Sequence, residues 1–151
     1  MISGAPGSGK TTQATALAKQ YGLTNVNVNV LVKDETRRNP AIKRRIEVCR
    51  DAGDPIPNEI LLRIVEDRLK CSDCRMNGWV LDGFPEDEAQ INLLKSMRVK
   101  PDVFFLLDLE PADSKIRLSE RRIDPISGKM YALTEAEHRC HNETIANRLE
   151  I

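Results

Sequence analysis

Apolar residues recur at helical spacing in three segments of the chain. The first pattern predicts a helix over Lys10–Gln20 that ends near Gly22. After a polar passage, two further patterns at residues 42–49 and 60–69 predict helices, and Pro57 suits the first turn of the later one. The apolar positions are Ala14, Leu17, Ala18 and Tyr21 in the first segment, Ile42, Ile46 and Cys49 in the second, and Ile60, Leu61, Ile64, Val65 and Leu69 in the third.

Two other segments have the pattern of buried strands. Gly78–Asp82 is a short apolar run that ends in an acid, and Gly83–Pro85 interrupts the chain before a helix that carries Ile91 and Leu94. Val103–Leu109 is an apolar run interrupted by a single aspartate. Strands that alternate with helices and are apolar throughout favour an α/β fold, in which helices cover both faces of a parallel, doubly wound sheet.

The composition is typical of a globular domain. Of the 151 residues, 40% are hydrophobic and 30% are charged, and no apolar run approaches the length of a membrane span. A net charge of zero gives no long-range attraction to nucleic acid or to an acidic membrane, so we expect neither as a partner. We expect a soluble intracellular protein, of the cytoplasm or of an organelle such as a plastid or mitochondrion.

A glycine-rich segment joins Met1–Ser3, which has the pattern of a short buried strand, to the first predicted helix. Gly4–Thr11 satisfies all eight positions of the phosphate-binding loop pattern G-x-x-x-x-G-K-[ST]. Its glycines leave room for successive backbone N–H groups to converge on an anion, and the following helix adds its positive end. Lys10 is expected to reach the β- and γ-phosphates, and the Thr11 hydroxyl to bind Mg²⁺. A glycine-rich turn that binds nothing would not account for the full match.

Further charged residues suit phosphoryl transfer. Asp82, at the carboxyl end of a predicted strand, can face a magnesium ion through water, and its alternative role is to cap the next turn. Arg117, Arg121 and Arg122 fall on and just after a predicted helix that carries Ile116, and the first two are spaced to share one face. An arginine guanidinium can bind two of the phosphoryl oxygens over which negative charge spreads during phosphoryl transfer. The alternative interpretation of an isolated arginine pair is a charged helix face exposed to solvent.

The cysteines are too few for a disulfide-built core and favour a reducing compartment. Cys71 and Cys74 are separated by two residues, a spacing typical of zinc ligands and of redox-active cysteine pairs. Cys140 lies beside His138 and His141, so these residues could together supply four ligands to one metal ion. Free thiols are the favoured interpretation, because nothing in the sequence brings the two groups together.

These motifs, in this order, resemble those of the adenylate kinases, and the organellar, chloroplast-like branch is nearest. The segments that carry the resemblance are Ile2–Lys10, Gly78–Pro85 and Arg121–Tyr131. The resemblance implies the P-loop NTPase three-layer αβα fold and transfer of a phosphoryl group from Mg-ATP to AMP to give two ADP. It also implies a core of residues 1–29 and 64–121, a monophosphate-binding arm at about 30–63, and a lid from about residue 122.

Roles for individual residues follow from the resemblance. The ATP-binding residues would be Gly4, Ala5, Pro6, Gly7, Ser8, Gly9, Lys10, Thr11 and Thr12. The monophosphate-binding residues would be Lys33, Ile56, Gly83 and Gln90, the last of which would contact the AMP base. The catalytic residues would be Lys10, Arg117 and Arg121, and the ligands of the implied cofactor Mg²⁺, partly through water, would be Thr11 and Asp82.

The sequence departs from the family pattern mainly at the monophosphate site. Val28 and Asn29 stand where the family has threonine and glycine, Lys33 replaces an arginine, and Glu86 replaces the arginine after Gly-Phe-Pro. Lys33 keeps the positive charge of the arginine but cannot form its paired hydrogen bonds to a phosphate, and Glu86 reverses the charge. Thr11 replaces a family glycine but matches the general loop pattern.

Both ends of the chain stop short of the family pattern. Met1–Ser3 is only half of a buried strand. The resemblance implies that Arg148–Ile151 would lie inside the lid and that two further catalytic arginines would lie beyond it. We therefore expect part of a longer protein, in which any targeting peptide would lie outside this chain. Two functions stay open: a nucleoside monophosphate kinase, or a weakened adenylate-kinase-like module that senses nucleotide or supports a larger assembly. Val28, Lys33 and Glu86 support the second.

Overall fold

The computed structural model describes residues 1–97, 99–123 and 130–132. Most of the predicted lid, and with it His138, Cys140 and His141 of the candidate zinc site, lies outside the described residues. By its internal contacts the chain divides into two units. The first consists of Met1–Gly4 and Gly9–Leu107, and the second of Ala5–Ser8 and Asp108–Ile151.

Strands and helices alternate along both units. The first contains β1 (Ile2–Gly4), α1 (Lys10–Tyr21), β2 (Thr24–Asn27), α2 (Val28–Arg38), α3 (Pro40–Ala52), α4 (Asn58–Leu69), α5 (Ser72–Asn77), β3 (Trp79–Asp82), α6 (Glu88–Ser96) and β4 (Phe105–Leu107). The second contains α7 (Pro111–Ser119), β5 (Arg121–Ile123) and β6 (Met130–Ala132). None of these described helices has both the length and the apolar character needed to cross a membrane.

The strands of the first unit form a parallel sheet in the order β2-β3-β1-β4. Within it, Ile2 of β1 is paired with Asp82 of β3 on one side and with Phe105 of β4 on the other. The carboxyl ends of β1 and β3 therefore meet at one edge, where Gly4 leads into the glycine loop. Ligands of open α/β sheets bind outside this edge.

Asparagine caps fix the start of the two helices that follow β2. The Asn27 side chain accepts a hydrogen bond from Val30 N at 3.0 Å at the start of α2. At the start of α3, Asn39 accepts from Ala41 N at 3.1 Å, and Pro40 occupies the first helical position. These caps satisfy backbone N–H groups that have no partner within a helix, so a polar stretch of sequence can form consecutive helices.

The core occupies both faces of the sheet at β1 and β3. Val80 packs with Ala14 and Ala18 of α1 in one buried cluster. The next residue, Leu81, points to the opposite face and belongs to a larger cluster with residues of α2, α3 and α4, including Ile46. The alternation along β3 confirms a doubly covered sheet at these strands.

In the second unit, the loop Ala5–Ser8 is joined to α7. Helix α7 begins at Pro111, and the buried Ser114 hydroxyl donates a hydrogen bond to Pro6 O at 2.7 Å. Strands β5 and β6 form an antiparallel pair in which Arg122 lies opposite Tyr131.

The predicted helices are confirmed as α1, α3, α4 and α6, and α1 ends at Gly22 in a left-handed conformation. Pro57 precedes α4 as its N-cap instead of lying in its first turn. The interpretation of the segment after α1 as a polar passage is wrong, because it contains β2 and α2. Strand β2 has no apolar run that would mark it as a strand, because Val26 is its only buried and only apolar residue. The alternation of asparagine and valine continues into α2 and obscures where that helix begins.

The last predicted strand differs from Val103–Leu109. Strand β4 has only three residues, Phe105–Leu107, because its partner β1 has three residues with which it can pair. Phe105 and Leu106 of this strand are 44% and 69% exposed among the described residues. Tyr21 and Ile91, apolar positions of two predicted helices, are also exposed.

Candidate active site

The glycine loop begins where β1 ends. Gly4 has a φ of 150°, and a Cβ atom at this position would lie 2.3 Å from Leu107 O in β4. Only glycine therefore allows the two strands to pair here. Beyond the loop, Gly9 caps α1 with a φ of 89°, and the Lys10 Nζ donates a hydrogen bond to Gly4 O at 2.8 Å. The lysine amine is thus held at the carboxyl end of β1.

The part of the loop that belongs to the second unit makes a tight turn. Ser8 N donates to Ala5 O at 3.2 Å, and Gly7 between them has a φ of 78°. The Ser8 hydroxyl is buried and has no hydrogen-bond partner among the residues that the structure describes. Because an unsatisfied buried hydroxyl is costly, the loop fits an anion that would accept this hydrogen bond.

Helix α7 places one of the predicted arginines beside the same turn. Arg117 Nη1 donates to Gly7 O at 3.4 Å. The prediction that Arg117 and Arg121 share one helix face is wrong, because α7 ends at Ser119 and Arg121 begins β5. Four-residue spacing aligns side chains only within a continuous helix. In β5, Arg122 Nη1 donates to Ser119 O at 2.7 Å.

Asp82, the predicted magnesium ligand, ends β3 and is 1% exposed. Asn27, opposite it in the β2–β3 pair, donates from Nδ2 to Asp82 Oδ2 at 2.5 Å. Thr11 lies exposed in the first turn of α1. A hydroxyl and a carboxylate are hard oxygen donors, and Mg²⁺ commonly combines one or two carboxylates with substrate phosphates, so this donor set fits magnesium. Within the described ranges, no group of three or more His, Cys, Asp or Glu side chains could hold a metal ion.

A cavity of about 530 Å³ lies within the first unit, between the start of α2, the start of α4 and the loop after β3. Its volume is within the range of small-ligand pockets. Several residues assigned to the monophosphate site from the sequence line this cavity together. They are Val28, Asn29, Ile56, Gly83, Glu86 and Gln90.

The Gln90 side chain is fixed at both ends of its amide. It is 5% exposed, its Oε1 accepts from Glu86 N at 2.7 Å, and its Nε2 donates to Asn58 Oδ1 at 3.1 Å. Its backbone N–H is held by the side chain of Asp87 at 2.7 Å, which caps α6. A fixed amide in a cavity wall is suited to reading the hydrogen-bonding edge of a base.

The charge of the cavity does not favour a phosphate. Among the described lining residues, the charged ones are Glu86 and Asp87, both acidic. Lys33 does not line the cavity and is exposed on α2, one turn beyond Asn29. The structure therefore brings together Gln90, Gly83 and Ile56, but leaves Lys33 outside the group.

Three residues with clear structural roles are absent from the sequence-based assignment: Asn27, Asn58 and Ser114. The role of Asn27 could have been predicted from the sequence, because asparagine is a common helix N-cap and the apolar residues Val28, Leu31 and Val32 that follow it have helical spacing. The Asn58–Gln90 and Ser114–Pro6 hydrogen bonds join residues 32 and 108 positions apart, and no local pattern predicts them.

Comparison with known proteins agrees with this arrangement. The family model for adenylate kinase matches residues 2–151. A chloroplastic adenylate kinase of Zea mays is 36% identical over 149 residues, which are 99% of this chain and 66% of that protein. Adenylate kinase 8 of Mus musculus is 37% identical over 88% of this chain and 28% of its own length. An adenylate kinase of Francisella tularensis subsp. novicida is 31% identical over 87% of this chain and 60% of its own length. The chain thus spans less than two thirds of each of these relatives.

Proposed function

Because the chain belongs to the adenylate kinase family, we propose that it forms part of a nucleoside monophosphate kinase that transfers a phosphoryl group from Mg-ATP to AMP, giving two ADP. The observation that carries the proposal is the buried Ser8 hydroxyl, which has no hydrogen-bond partner among the described residues and lies in a loop with the full phosphate-binding pattern. The family relationship favours this kinase over a weakened nucleotide-sensing module. A role within a larger assembly is not needed to explain the site.

On the ATP side, the loop would bind the phosphates through its backbone N–H groups and the Ser8 hydroxyl, with Thr12 in the following turn. Lys10 now donates to a neutral carbonyl, Gly4 O. A phosphate oxygen is a stronger, charge-assisted acceptor, so the amine would exchange one for the other when ATP binds. Arg117, whose guanidinium is held at Gly7, would bind phosphate oxygens in the same way.

The chemical step needs alignment of two nucleotides and neutralisation of charge, and no side-chain nucleophile. Mg²⁺ bound with ATP would supply further neutralisation of the β- and γ-phosphate charge, and Thr11 and Asp82 are the residues that would hold it. Arg117 and Arg121 would stabilise the charge that develops on the transferred group.

On the monophosphate side, the cavity beside α2 would take the base and ribose. Gln90 would hydrogen-bond to the base edge through an amide that Asn58 already holds. Gly83 and Ile56 would line the same pocket. Glu86 would weaken binding of the phosphate, and Lys33, exposed on α2 outside the cavity lining, would be the cation that offsets it.

The domain assignment from the sequence is also part of the proposal: a core, a monophosphate-binding arm at about residues 30–63, and a lid from about residue 122. The chloroplastic name of the Zea mays relative favours an organelle as the compartment. Imaging of the full-length protein with a carboxyl-terminal fluorescent tag would test this.

A coupled assay for ADP formation tests the activity. The protein would be supplied with Mg-ATP and with AMP, CMP, UMP or GMP in turn. We expect the highest turnover with AMP. Turnover with another monophosphate would change the substrate assignment, and no ADP with any of the four, while ATP still binds, would favour the nucleotide-sensing alternative.

Lys10→Ala tests the ATP site. We expect loss of ATP binding or turnover, because the change removes the charge assigned to the β- and γ-phosphates. Lys19→Ala, at an exposed position in the last turn of the same helix, is the matched control. Equal ATP affinity and rate in both variants would refute the loop assignment.

Glu86→Arg tests the monophosphate site. Unit charges about 4 Å apart near a surface interact by up to ~4 kcal/mol, which solvent reduces, so we expect Glu86 to weaken AMP binding by roughly 1 to 3 kcal/mol. The arginine variant should then bind AMP about ten- to a hundredfold more tightly and ATP almost unchanged. Glu88→Arg, at an exposed position two residues further along the chain that does not line the cavity, controls for net charge. The same gain in both variants would refute a specific role for Glu86.

A further inference from the structure

Two cysteines lie outside the proposed nucleotide sites, in the segment that connects α4 to β3. Cys71 immediately precedes α5 and is exposed, whereas Cys74 is 2% exposed within the core. Both thiols are free. We propose that Cys71 and Cys74 form a reversible dithiol–disulfide pair, a redox modification site in which Cys71 reacts first and Cys74 resolves the intermediate.

The backbone places the two residues within reach of one another. Arg75 N donates to Cys71 O at 3.2 Å, so the chain closes a helical turn from Cys71 onward. In such a turn, Cα atoms three residues apart are separated by about 5 Å. Disulfides form across Cα separations of roughly 4.4 to 6.8 Å. The Cα spacing of such a turn therefore falls within the range of a Cys71–Cys74 disulfide.

The exposure of Cys71 and the burial of Cys74 indicate which thiol reacts first. Cys71 Sγ makes a weak hydrogen bond to Asp67 O at 3.5 Å at the protein surface, where a dissolved oxidant can reach it. Cys74 is enclosed, and its burial raises the pKa of its thiol above the ordinary value of 9.0. A buried thiol that holds its proton is a poor first nucleophile, so the first step belongs to Cys71.

A fixed guanidinium lies beside the second sulfur. Arg68 Nη1 donates to Cys74 Sγ at 3.2 Å. Two further hydrogen bonds to Asp73, at 2.8 and 2.5 Å, hold the guanidinium in place. A nearby cation stabilises the thiolate that Cys74 must form to attack, so Arg68 assists the resolving step.

The reaction is a pair of thiol–disulfide exchanges with a small disulfide such as oxidised glutathione. The Cys71 thiolate attacks one sulfur, the glutathione S–S bond breaks, and one glutathione leaves and takes up the proton lost by Cys71. The Cys74 thiolate then attacks the Cys71 sulfur, the mixed disulfide breaks, and the second glutathione leaves with the proton from Cys74. Two electrons pass from the protein to glutathione, and excess reduced glutathione reverses both steps.

Peptide mass spectrometry tests the proposal on the whole chain. The protein would be equilibrated with a series of oxidised-to-reduced glutathione ratios, alkylated and digested. We expect the peptide that contains both cysteines to lose the mass of two hydrogen atoms and to escape alkylation, in a fraction that rises with the ratio and falls after dithiothreitol. A mixed disulfide on Cys71 that never converts to the internal bond would overturn the proposal, as would a bond to any other cysteine.

Matched variants separate the two roles. Cys74→Ser should accumulate glutathione on Cys71, Cys71→Ser should leave Cys74 reduced, and Cys49→Ser should behave as the wild type. Wild-type protein that holds zinc and releases it on Cys71→Ser substitution would instead make the pair metal ligands and end the redox assignment. The wild-type titration decides the proposal even where a variant fails to fold.

Discussion

Replacement of Asn27 by alanine removes two hydrogen bonds that the same side chain makes, one to Val30 N at the start of α2 and one to the buried carboxylate of Asp82. Loss of a helix cap costs about 1 kcal/mol. A buried acceptor deprived of its donor costs roughly 1 to 3 kcal/mol. We therefore expect Asn27→Ala to lower the free energy of unfolding by about 2 to 4 kcal/mol, measured by urea denaturation.

A double-mutant cycle separates the two contributions. Asn27→Ser keeps an oxygen that can cap α2 but lacks the amide donor, so it should lose mainly the contact with Asp82. In an Asp82→Ala background, Asn27→Ala should cost only the cap, about 1 kcal/mol, which gives a coupling energy of roughly 1 to 3 kcal/mol. Additivity within about 0.5 kcal/mol would show that Asn27 does not stabilise the carboxylate, and the reasoning would fail.

Two further predictions concern stability. Gly4→Ala should lower the free energy of unfolding by roughly 3 kcal/mol or more in urea denaturation, because the added Cβ would lie 2.3 Å from the Leu107 carbonyl oxygen of β4. The control Gly22→Ala, where the space around the added Cβ is open, should cost about 1 kcal/mol. Equal losses in the two variants would refute the steric argument. The hydrogen bond from Arg68 holds the pKa of Asp73 below its ordinary value of 3.8, so this pair contributes stability above that value and loses it as the pH falls through the lowered pKa. Asp73→Asn should therefore lower the urea midpoint near neutral pH and converge with the wild type in strong acid, and a constant difference across pH would contradict the linkage.

The sequence predicts those parts of the fold that depend on local signals. The end of α1 at Gly22 is predictable because a left-handed cap requires a residue such as glycine. Strand β2 is not, because Val26 is its only buried residue and the other positions are polar. Its assignment as a strand depends on pairing with β3, whose residues lie more than fifty positions away.

The candidate site divides in the same way. The phosphate loop is recognisable because its chemistry lies in consecutive residues. The cavity wall depends on Asn58 and Gln90, which meet only after α4 and α6 have packed. The assignment of Arg121 to a helix face failed because the end of α7 at Ser119 has no glycine or proline to mark it.

The acidic lining of the cavity gives the two proposed nucleotide sites opposite responses to ionic strength. Glu86 and Asp87 are exposed, so added salt screens them, and the screening length falls to about 10 Å at 0.1 M. A repulsion between these carboxylates and the AMP dianion would weaken as salt is added, and AMP would bind more tightly. ATP, attracted by Lys10, would bind less tightly under the same change. The balance of the two nucleotides on the protein would therefore follow the salt concentration of the compartment in which it works.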